Sequence, residues 1–333
     1  MKRRSASLCV GALLVIASLV IQTQTVTAQT ITLKAISAWP KTTVEYKAFS
    51  IFTDLVEQTV AKKCPGELSI KYLGGPDVVK AVDQVQALQR GMIDMVFIAS
   101  AYYTNVLGEI DALKQSDYTP SEERANGAWA YLNNLHEKKL DIHYLARLGL
   151  GTKHQLYLKR PIESANLKGF NIRVSPVHIQ VVKGLEGNPV VIAIPEVYVA
   201  LERNVVDGFC FPSVGIRDYG WQKQVKYIVG PPFYTVPNPL LVNLKVWNGM
   251  PQEMRDLLTE VGIEAEKRVV AMFDDLAREE RSILLKEGLQ IIDLPAEEKA
   301  KFLRVAFEEG WKEILQRNPQ TGPELKRMLT KGK

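Results

Sequence analysis

The sequence predicts an α/β protein, two-lobed if an internal echo marks two similar units, with a long helix that either spans the molecule or breaks. Three observations carry that reading. Short strand-like runs alternate with helical spacing from Ile31 onward, and an eight-residue helix-to-strand pattern occurs twice. Pro251 to Gly288 then keeps helical spacing over more residues than one lobe is wide.

Residues 1–28 read as an export signal. Lys2, Arg3 and Arg4 form a positive start, Leu8 to Ile21 an apolar run, and Val26-Thr27-Ala28 a small-residue cleavage site. The run is short for a bilayer span, which needs about 20 apolar residues. Arg3-Arg4 alone is too little for a twin-arginine signal, and Cys9 sits too early to carry a lipid. Cleavage would start the chain near Gln29. Lobe 1 is then expected to hold residues 29–150 plus about 237–275, and lobe 2 residues 151–236 plus about 276–333. Losing three basic residues lowers the net charge from +5 to about +2. No basic stripe with interleaved aromatics is present, so nucleic acid is not an expected partner. Cys64 and Cys210 remain. An oxidising compartment gives them the option of pairing, but two cysteines are no disulfide framework, and two buried free thiols is the preferred reading.

Ile31 to Ile36 alternates as a strand and stops before Trp39-Pro40. Tyr46, Phe49, Phe52, Leu55 and Val56 fall at helical spacing, closed by Pro65-Gly66. Leu68 to Tyr72 is a second strand, ended by Gly74-Gly75-Pro76. Val78 to Arg90 follows as a helix and Ile93 to Ile98 as a third strand. This order with short links implies parallel pairing through right-handed crossovers, and ligands bind beyond the carboxyl ends of such strands. Trp39, Gly75 and Ser100 to Tyr103 therefore belong at a mouth. Thr119 to Glu137 reads as a helix, Asp141 to Leu148 as a strand, Gly149-Leu150-Gly151 as a hinge, and His154 to Leu158 as a strand.

Leu167-Lys168-Gly169 then turns into Phe170, Ile172 and Val174 alternating with Asn171 and Arg173. On such a strand Arg173 leaves the apolar face. A guanidinium fixed there is a rigid fork of donors suited to a carboxylate. Val177 to Leu185 is a helix, Pro189 to Ala193 a strand, Pro195 to Arg203 a helix and Val205 to Phe211 a strand. Ala87-Leu88-Gln89-Arg90-Gly91-Met92-Ile93-Asp94 is echoed by Ala200-Leu201-Glu202-Arg203-Asn204-Val205-Val206-Asp207. The echo is either the trace of two similar βαβ units or a common helix-to-strand junction. Tyr227 to Val242 is proline-rich and extended, suited to crossing between lobes. The helix after Pro251 would be roughly 50 Å long, with Gly262 as a point where it could kink. Leu289 to Leu294 is a last strand, Pro295 to Arg317 an amphipathic helix, and Gly322 to Leu329 a tail helix.

Catalytic signatures are absent. His136, His143, His154 and His178 are scattered, without His-Glu-x-x-His, and there is no Gly-x-Ser-x-Gly or Gly-x-Gly-x-x-Gly. Gly74-Gly75-Pro76 lacks the Gly-Lys-Ser/Thr ending of a phosphate loop. Asp274-Asp275 and Glu279-Glu280 lie on a helix, where adjacent carboxylates face apart. No catalytic residue, metal or cofactor is expected, and the chain reads as a non-enzyme.

From Pro161-Ile162 to Gly208 the chain carries Leu-Lys-Gly-x-x-Ile-Arg-Val, then Pro189-Val190, then Pro195-Glu196-Val197-Tyr198-x-Ala200-Leu201, then Val205-Val206-Asp207-Gly208. In that order and spacing these motifs resemble the extracytoplasmic solute-binding proteins of tripartite ATP-independent periplasmic (TRAP) transporters, over nearly the whole chain after the export signal. The resemblance implies a two-lobed periplasmic binding protein fold, each lobe a mixed β-sheet flanked by helices, with a long helix crossing both lobes. It further implies a monomer in the periplasm that closes on a small organic anion and delivers it to integral-membrane TRAP permease subunits. The family's carboxylate-clamping arginine falls on Arg173, and a second basic position on Lys153, a point charge in place of a fork. Many relatives carry Glu-Asn or Glu-Trp after Asp-Gly, the latter with a cation. Here Phe209-Cys210-Phe211-Pro212 follows Asp207-Gly208, which argues against a metal, a sugar acid or a doubly anchored C4-dicarboxylate. The expected ligand site is Arg173, Lys153, Trp39, Tyr102, Phe209, Phe211 and Tyr234, with Tyr103 also near the mouth. The expected ligand is a monocarboxylate with an apolar or aromatic body. The competing readings are a C4-dicarboxylate or a keto or hydroxy acid receptor of the same family, a receptor for an ATP-driven importer, and an exported enzyme.

Overall fold

Alternating apolar runs become strands in two places. The computed structural model describes residues 30–149, 153–235 and 237–332. In chain order the strands are β1 (Ile31–Ser37), β2 (Leu68–Gly74), β3 (Met95–Phe97), β4 (Ile142–Arg147), β5 (Lys153–Leu158) and β6 (Asn171–Val174). They continue as β7 (Asn188–Val191), β8 (Gly208–Pro212), β9 (Tyr227–Thr235), β10 (Pro239–Asn243) and β11 (Gln290–Asp293). The first α-helices are α1 (Val44–Lys63), α2 (Gln84–Gln89), α3 (Pro120–Ala125), α4 (Ala128–Leu140) and α5 (Ile179–Gly184). The rest are α6 (Val197–Glu202), α7 (Leu244–Gly249), α8 (Gln252–Lys286), α9 (Ala296–Arg317) and α10 (Gly322–Leu329).

Two mixed sheets result, ordered β2-β1-β3-β10-β4 and β11-β9-β5-β8-β6-β7. In the first, β2, β1 and β3 are parallel, and β10 runs antiparallel between β3 and β4. In the second, β7, β6 and β8 are parallel, and β5 runs antiparallel between β8 and β9. The two sheets therefore share one strand plan, each completed by a strand from the other half of the chain. β4 of the first sheet leads to β5 of the second, and β9 leads back to β10, so the proline-rich stretch does cross between lobes. Leu150 and Gly151 of the expected hinge lie outside the described residues, as does the export signal.

The sequence echo is one device built twice. Asp94 Oδ2 accepts from the Lys34 N–H at 2.8 Å, and the Asp94 N–H donates to the Lys34 carbonyl at 2.8 Å. Asp207 repeats both bonds with Asn171, at 2.8 and 2.7 Å. Before each aspartate the helix ends on a left-handed residue, Gly91 (φ 70°) or Asn204 (φ 57°), the residue types that tolerate it. The carbonyl three residues before the left-handed one accepts that residue's N–H and a side-chain donor as well, Asn243 Nδ2 at Leu88 and Lys159 Nζ at Leu201. Gly208 follows Asp207 for steric reasons. A Cβ there would lie 2.1 Å from the Tyr157 carbonyl of β5.

Helix α8 runs unbroken from Gln252 to Lys286. Gly262 does not kink it. The glycine brings the helix close to β4, where an added Cβ would meet the Ala146 Cβ at 3.4 Å. Leu257, Leu258, Val261, Ala265, Val269 and Phe273 enter the first-lobe core, and Leu284 enters a second-lobe core with Leu289. The helix thus spans both lobes. Elsewhere the periodicity overran. Thr119 to Glu137 is two helices, because Gly127 takes φ 88° between α3 and α4. Val78 to Arg90 holds only a 3-10 turn at Ala81–Asp83 and then α2. Gly108–Gln115, unassigned from sequence, is a 3-10 helix.

The tail also departs from the expected division, which gave residues 276–333 to lobe 2. Phe302 and Ala306 of α9 pack into the second lobe, but Trp311 and Ile314 pack into the first, together with Leu325 and Leu329 of α10. The apolar face of α9 is longer than one lobe, so the helix bridges them and carries α10 to the first. Cys64 and Cys210 are buried free thiols.

Candidate ligand-binding cleft

Loops leaving the carboxyl ends of β1, β3, β6 and β7 meet around a cavity of about 970 Å³. Trp39 and Tyr102 line it from the first lobe, Arg173 and Phe211 from the second. Ile192, Ile194 and Val177 add apolar wall. These four of the seven expected residues come together because strand ends of parallel sheets converge on one mouth.

The other three lie elsewhere. Lys153 is exposed at the start of β5 and is not part of the lining. Phe209 shares a face with Phe211 but sits deeper, stacked on Tyr157 at 4.9 Å and edge-on to Trp221 at 5.1 Å. It supports the wall from below. Tyr234 is bound into the α9 contact, where its hydroxyl donates to the Ala306 carbonyl at 3.0 Å and its ring lies 5.0 Å below the Lys114 ammonium. Tyr103 is core, its hydroxyl 3.1 Å from His136 Nε2.

Arg173 is 4% exposed. Its Nε donates to the Ile192 carbonyl at 3.0 Å, and its guanidinium carbon lies 5.7 Å from the Trp221 ring centroid. Among the described residues no carboxylate lies within 4.0 Å of it. Burial pushes its pKa down to about 10, against the pull of Cys210, Tyr102 and Tyr219, so it remains a cation at neutral pH. A buried cation without a counter-ion is costly, and an anion placed against its fork relieves that cost.

Among the wall residues that the sequence reading missed are Lys114, Glu45, Tyr219, His154 and His178. Lys114 comes from the 3-10 helix and is already neutralised, with Asp111 at 2.7 Å and Glu313 at 3.9 Å. Burial raises the Tyr219 and Tyr102 phenols, which therefore stay neutral donors. His154 and His178 are hydrogen-bonded to each other at 2.7 Å. Burial first, and Lys114 and Arg173 after it, push His154 down to about 3. His178 is held well below the usual range by burial and by His154.

Glu45, in the first turn of α1, is buried, and its Oε2 has no hydrogen-bond partner among the described residues. Burial raises its pKa to about 7, with a smaller push from Asp218. The folded chain therefore holds this proton more tightly than the unfolded chain. The associated stability is complete below about pH 4.5 and is lost as pH rises toward about 7. Glu45→Gln should accordingly be more stable than the parent at pH 8, by up to about 3 kcal/mol, and nearly equal at pH 4. Urea unfolding at both pH values checks this, and an equal offset at both would remove protonation as the cause.

Two lobes of one strand plan, facing each other across a cleft with an uncompensated cation in its wall, are built to capture a small solute. Residues 36–318 match the family described as bacterial extracellular solute-binding protein, family 7, and the chain belongs to that family. It is 25% identical over 288 residues to a monocarboxylate 2-oxoacid-binding periplasmic protein of Nostoc sp. (strain PCC 7120), covering 82% of this chain and 76% of that one. It is 22% identical over 274 residues to a solute-binding protein of Albidiferax ferrireducens, covering 78% and 79%. Among solved structures, a TRAP periplasmic solute binding protein from Desulfovibrio salexigens with bound orotic acid is similar in fold. Its TM-score is 0.77 and its identity 18%, over 90% of this chain and 97% of that one. A Bordetella pertussis extracytoplasmic solute receptor binding pyroglutamic acid gives a TM-score of 0.74 at 18% identity, over 90% and 99%. The TRAP-receptor resemblance read from the motifs is thereby confirmed, and the protein is a binding protein, not an enzyme. No helix among the described residues is long and apolar enough to cross a membrane.

Proposed function

We propose that the protein captures a small monocarboxylate with an apolar or aromatic body in the periplasm, after export on residues 1–28, and delivers it as a monomer to integral-membrane TRAP permease subunits. The observation that carries the reading is Arg173, a buried fork of donors with no carboxylate beside it in a mainly apolar cleft. Trp39, Tyr102 and Phe211 supply the surface for the acid's body. Such apolar lining with few polar anchors suits a small ligand. Lys114 is a poor second anchor for a dicarboxylate, because Asp111 already neutralises it. The monocarboxylate named for the Nostoc relative agrees with this reading.

A thermal-shift screen of monocarboxylates, dicarboxylates and sugar acids tests it. Ligand at a hundredfold excess over its Kd stabilises the folded state by about 2.7 kcal/mol, well within detection. Stabilisation by monocarboxylates is expected. Stabilisation by dicarboxylates or sugar acids alone would overturn the reading.

A further inference from the structure

A second polar point stands in the cleft besides Arg173. His178 Nδ1 lies 3.0 Å from Ser175 Oγ, and His178 Nε2 lies 2.7 Å from His154 Nδ1. Both rings are buried and both line the cleft. The remaining nitrogen, His154 Nε2, has no hydrogen-bond partner among the described residues.

Sheet geometry separates this point from the arginine. His154 is on the face of β5 that carries Leu156 and Leu158, which pack with Ile172 and Val174 of β6. Arg173, between Ile172 and Val174, points to the opposite face, over Trp221. Strand β8 runs between β5 and β6, and its end at Phe211-Pro212 lines the cleft. A ligand there can therefore be held by Arg173 on one side of that strand end and by His154 on the other.

Each neutral imidazole has one donor nitrogen and one acceptor nitrogen. With the shared proton on His178 Nε2, Ser175 donates to His178 Nδ1, His154 Nδ1 accepts, and His154 Nε2–H donates into the cleft. With it on His154 Nδ1, His154 Nε2 is an acceptor and His178 Nδ1–H donates to Ser175 Oγ. Each ring keeps one proton in both states, and no net charge appears. We propose that His154 Nε2 reads a hydroxyl or keto oxygen of the captured acid, with His178 and Ser175 as positioning residues that set whether it accepts or donates. This rests on the reading of Arg173 as the carboxylate clamp. Burial and the neighbouring cations Lys114 and Arg173 keep both rings uncharged, which favours a neutral group over a second carboxylate. Lys114 itself is occupied by Asp111.

Calorimetric titration of the full exported chain with matched acids tests the proposal. One set is 4-methyl-2-oxopentanoate, 2-hydroxy-4-methylpentanoate and 4-methylpentanoate. The other is phenylpyruvate, phenyllactate and 3-phenylpropanoate. In at least one set the oxygenated acids should bind roughly ten- to a hundredfold tighter than the plain acid, which leaves His154 Nε2 unpaired. His154→Phe should bring that ratio to within about threefold. Ser175→Ala should change the hydroxy-to-oxo ratio, which a merely structural serine would leave alone. Equal affinities within both sets for the parent protein overturn the role of His154 but leave the monocarboxylate reading standing. Binding of none of the six overturns that reading and this one with it. If His154→Phe does not fold, imidazole nitrogen shifts of the ¹⁵N-histidine-labelled parent decide. A change of tautomer between hydroxy and oxo complexes supports the proposal, and shifts unmoved by either acid overturn it.

Discussion

Arg173→Ala should lose almost all ligand affinity while remaining folded. Truncating one partner of a desolvated charge pair costs on the order of 2–5 kcal/mol, which is about thirtyfold to several thousandfold in Kd. The same change should do little to the unliganded protein. Arg173 has no carboxylate to abandon there, and what it gives up is one bond to the Ile192 carbonyl and its place over Trp221. Removing a buried, uncompensated cation offsets that loss. The expected signature is a melting temperature at or near the parent value without ligand, and no upward shift with the acid that stabilises the parent most. Arg173→Lys should fall between, since a point charge replaces the fork and the Nε donor to Ile192 is gone. Calorimetry with that acid measures all three proteins. Parent-like affinity in Arg173→Ala would take the arginine out of the site.

The architecture was legible because two independent periodicities agreed with the turn chemistry. Alternation gave β1, β2 and β6, and helical spacing gave α1 and the whole of α8. The echo ending in Asp94 and Asp207 was ambiguous as letters. It becomes decisive only when both aspartates are seen closing the same pair of bonds to the neighbouring strand of their sheet, β1 or β6. What periodicity could not give was which partner an amphipathic face meets. Helix α9 has one continuous apolar face, and only the packing divides Phe302 and Ala306 from Trp311 and Ile314.

The site was legible where position along a strand settles depth. Trp39 and Tyr102 follow β1 and β3, where the strand-end rule puts them at the mouth; Arg173 and Phe211, near the ends of β6 and β8, were singled out by strand alternation and by the family resemblance, and all four line the cleft. Phe209 fails by the same geometry. It is two residues from Phe211 on one face but a step further into the sheet, opposite Arg173 in the register. Lys153 was placed by analogy of position, and exposure at the strand start removes it from the cleft. The histidine pair was invisible for a different reason. β5 and β6 are not neighbours, since β8 lies between them, so no spacing in the chain brings His154 to His178. The one available hint was that His154 opens a strand and His178 follows one, both at the strand ends beyond which ligands bind.

Glu266→Ala, far from the cleft, should destabilise the fold by about 3–5 kcal/mol, the range for removing one partner of a buried ion pair. Glu266 is 1% exposed on the long helix α8. Its carboxylate accepts from Arg124 Nε at 3.0 Å and Nη2 at 2.9 Å, a two-point pairing that ties α8 to α3. Its Oε1 also accepts from the Arg147 N–H of β4 at 2.9 Å, so the substitution orphans a strand donor as well as a cation. Arg147 in turn donates to Glu123 at 2.7 Å, which extends the same network back into α3. Glu264→Ala is the matched control on the same helix. Its pairing with Arg268 is solvent-exposed, and removing it should cost less than about 1 kcal/mol. Replacing both partners, as Arg124→Met with Glu266→Leu, should recover much of the loss, because the cost lies in the stranded charge and not in the absence of the pair. Urea unfolding of the four proteins at neutral pH compares them directly. If Glu266→Ala unfolds where Glu264→Ala does, packing of Leu258, Val261, Ala265 and Val269 alone holds α8 to the first lobe. If the predicted gap appears, the helix that spans both lobes is fixed to one of them by a charge, and any movement of the lobes must bend or pivot beyond that point.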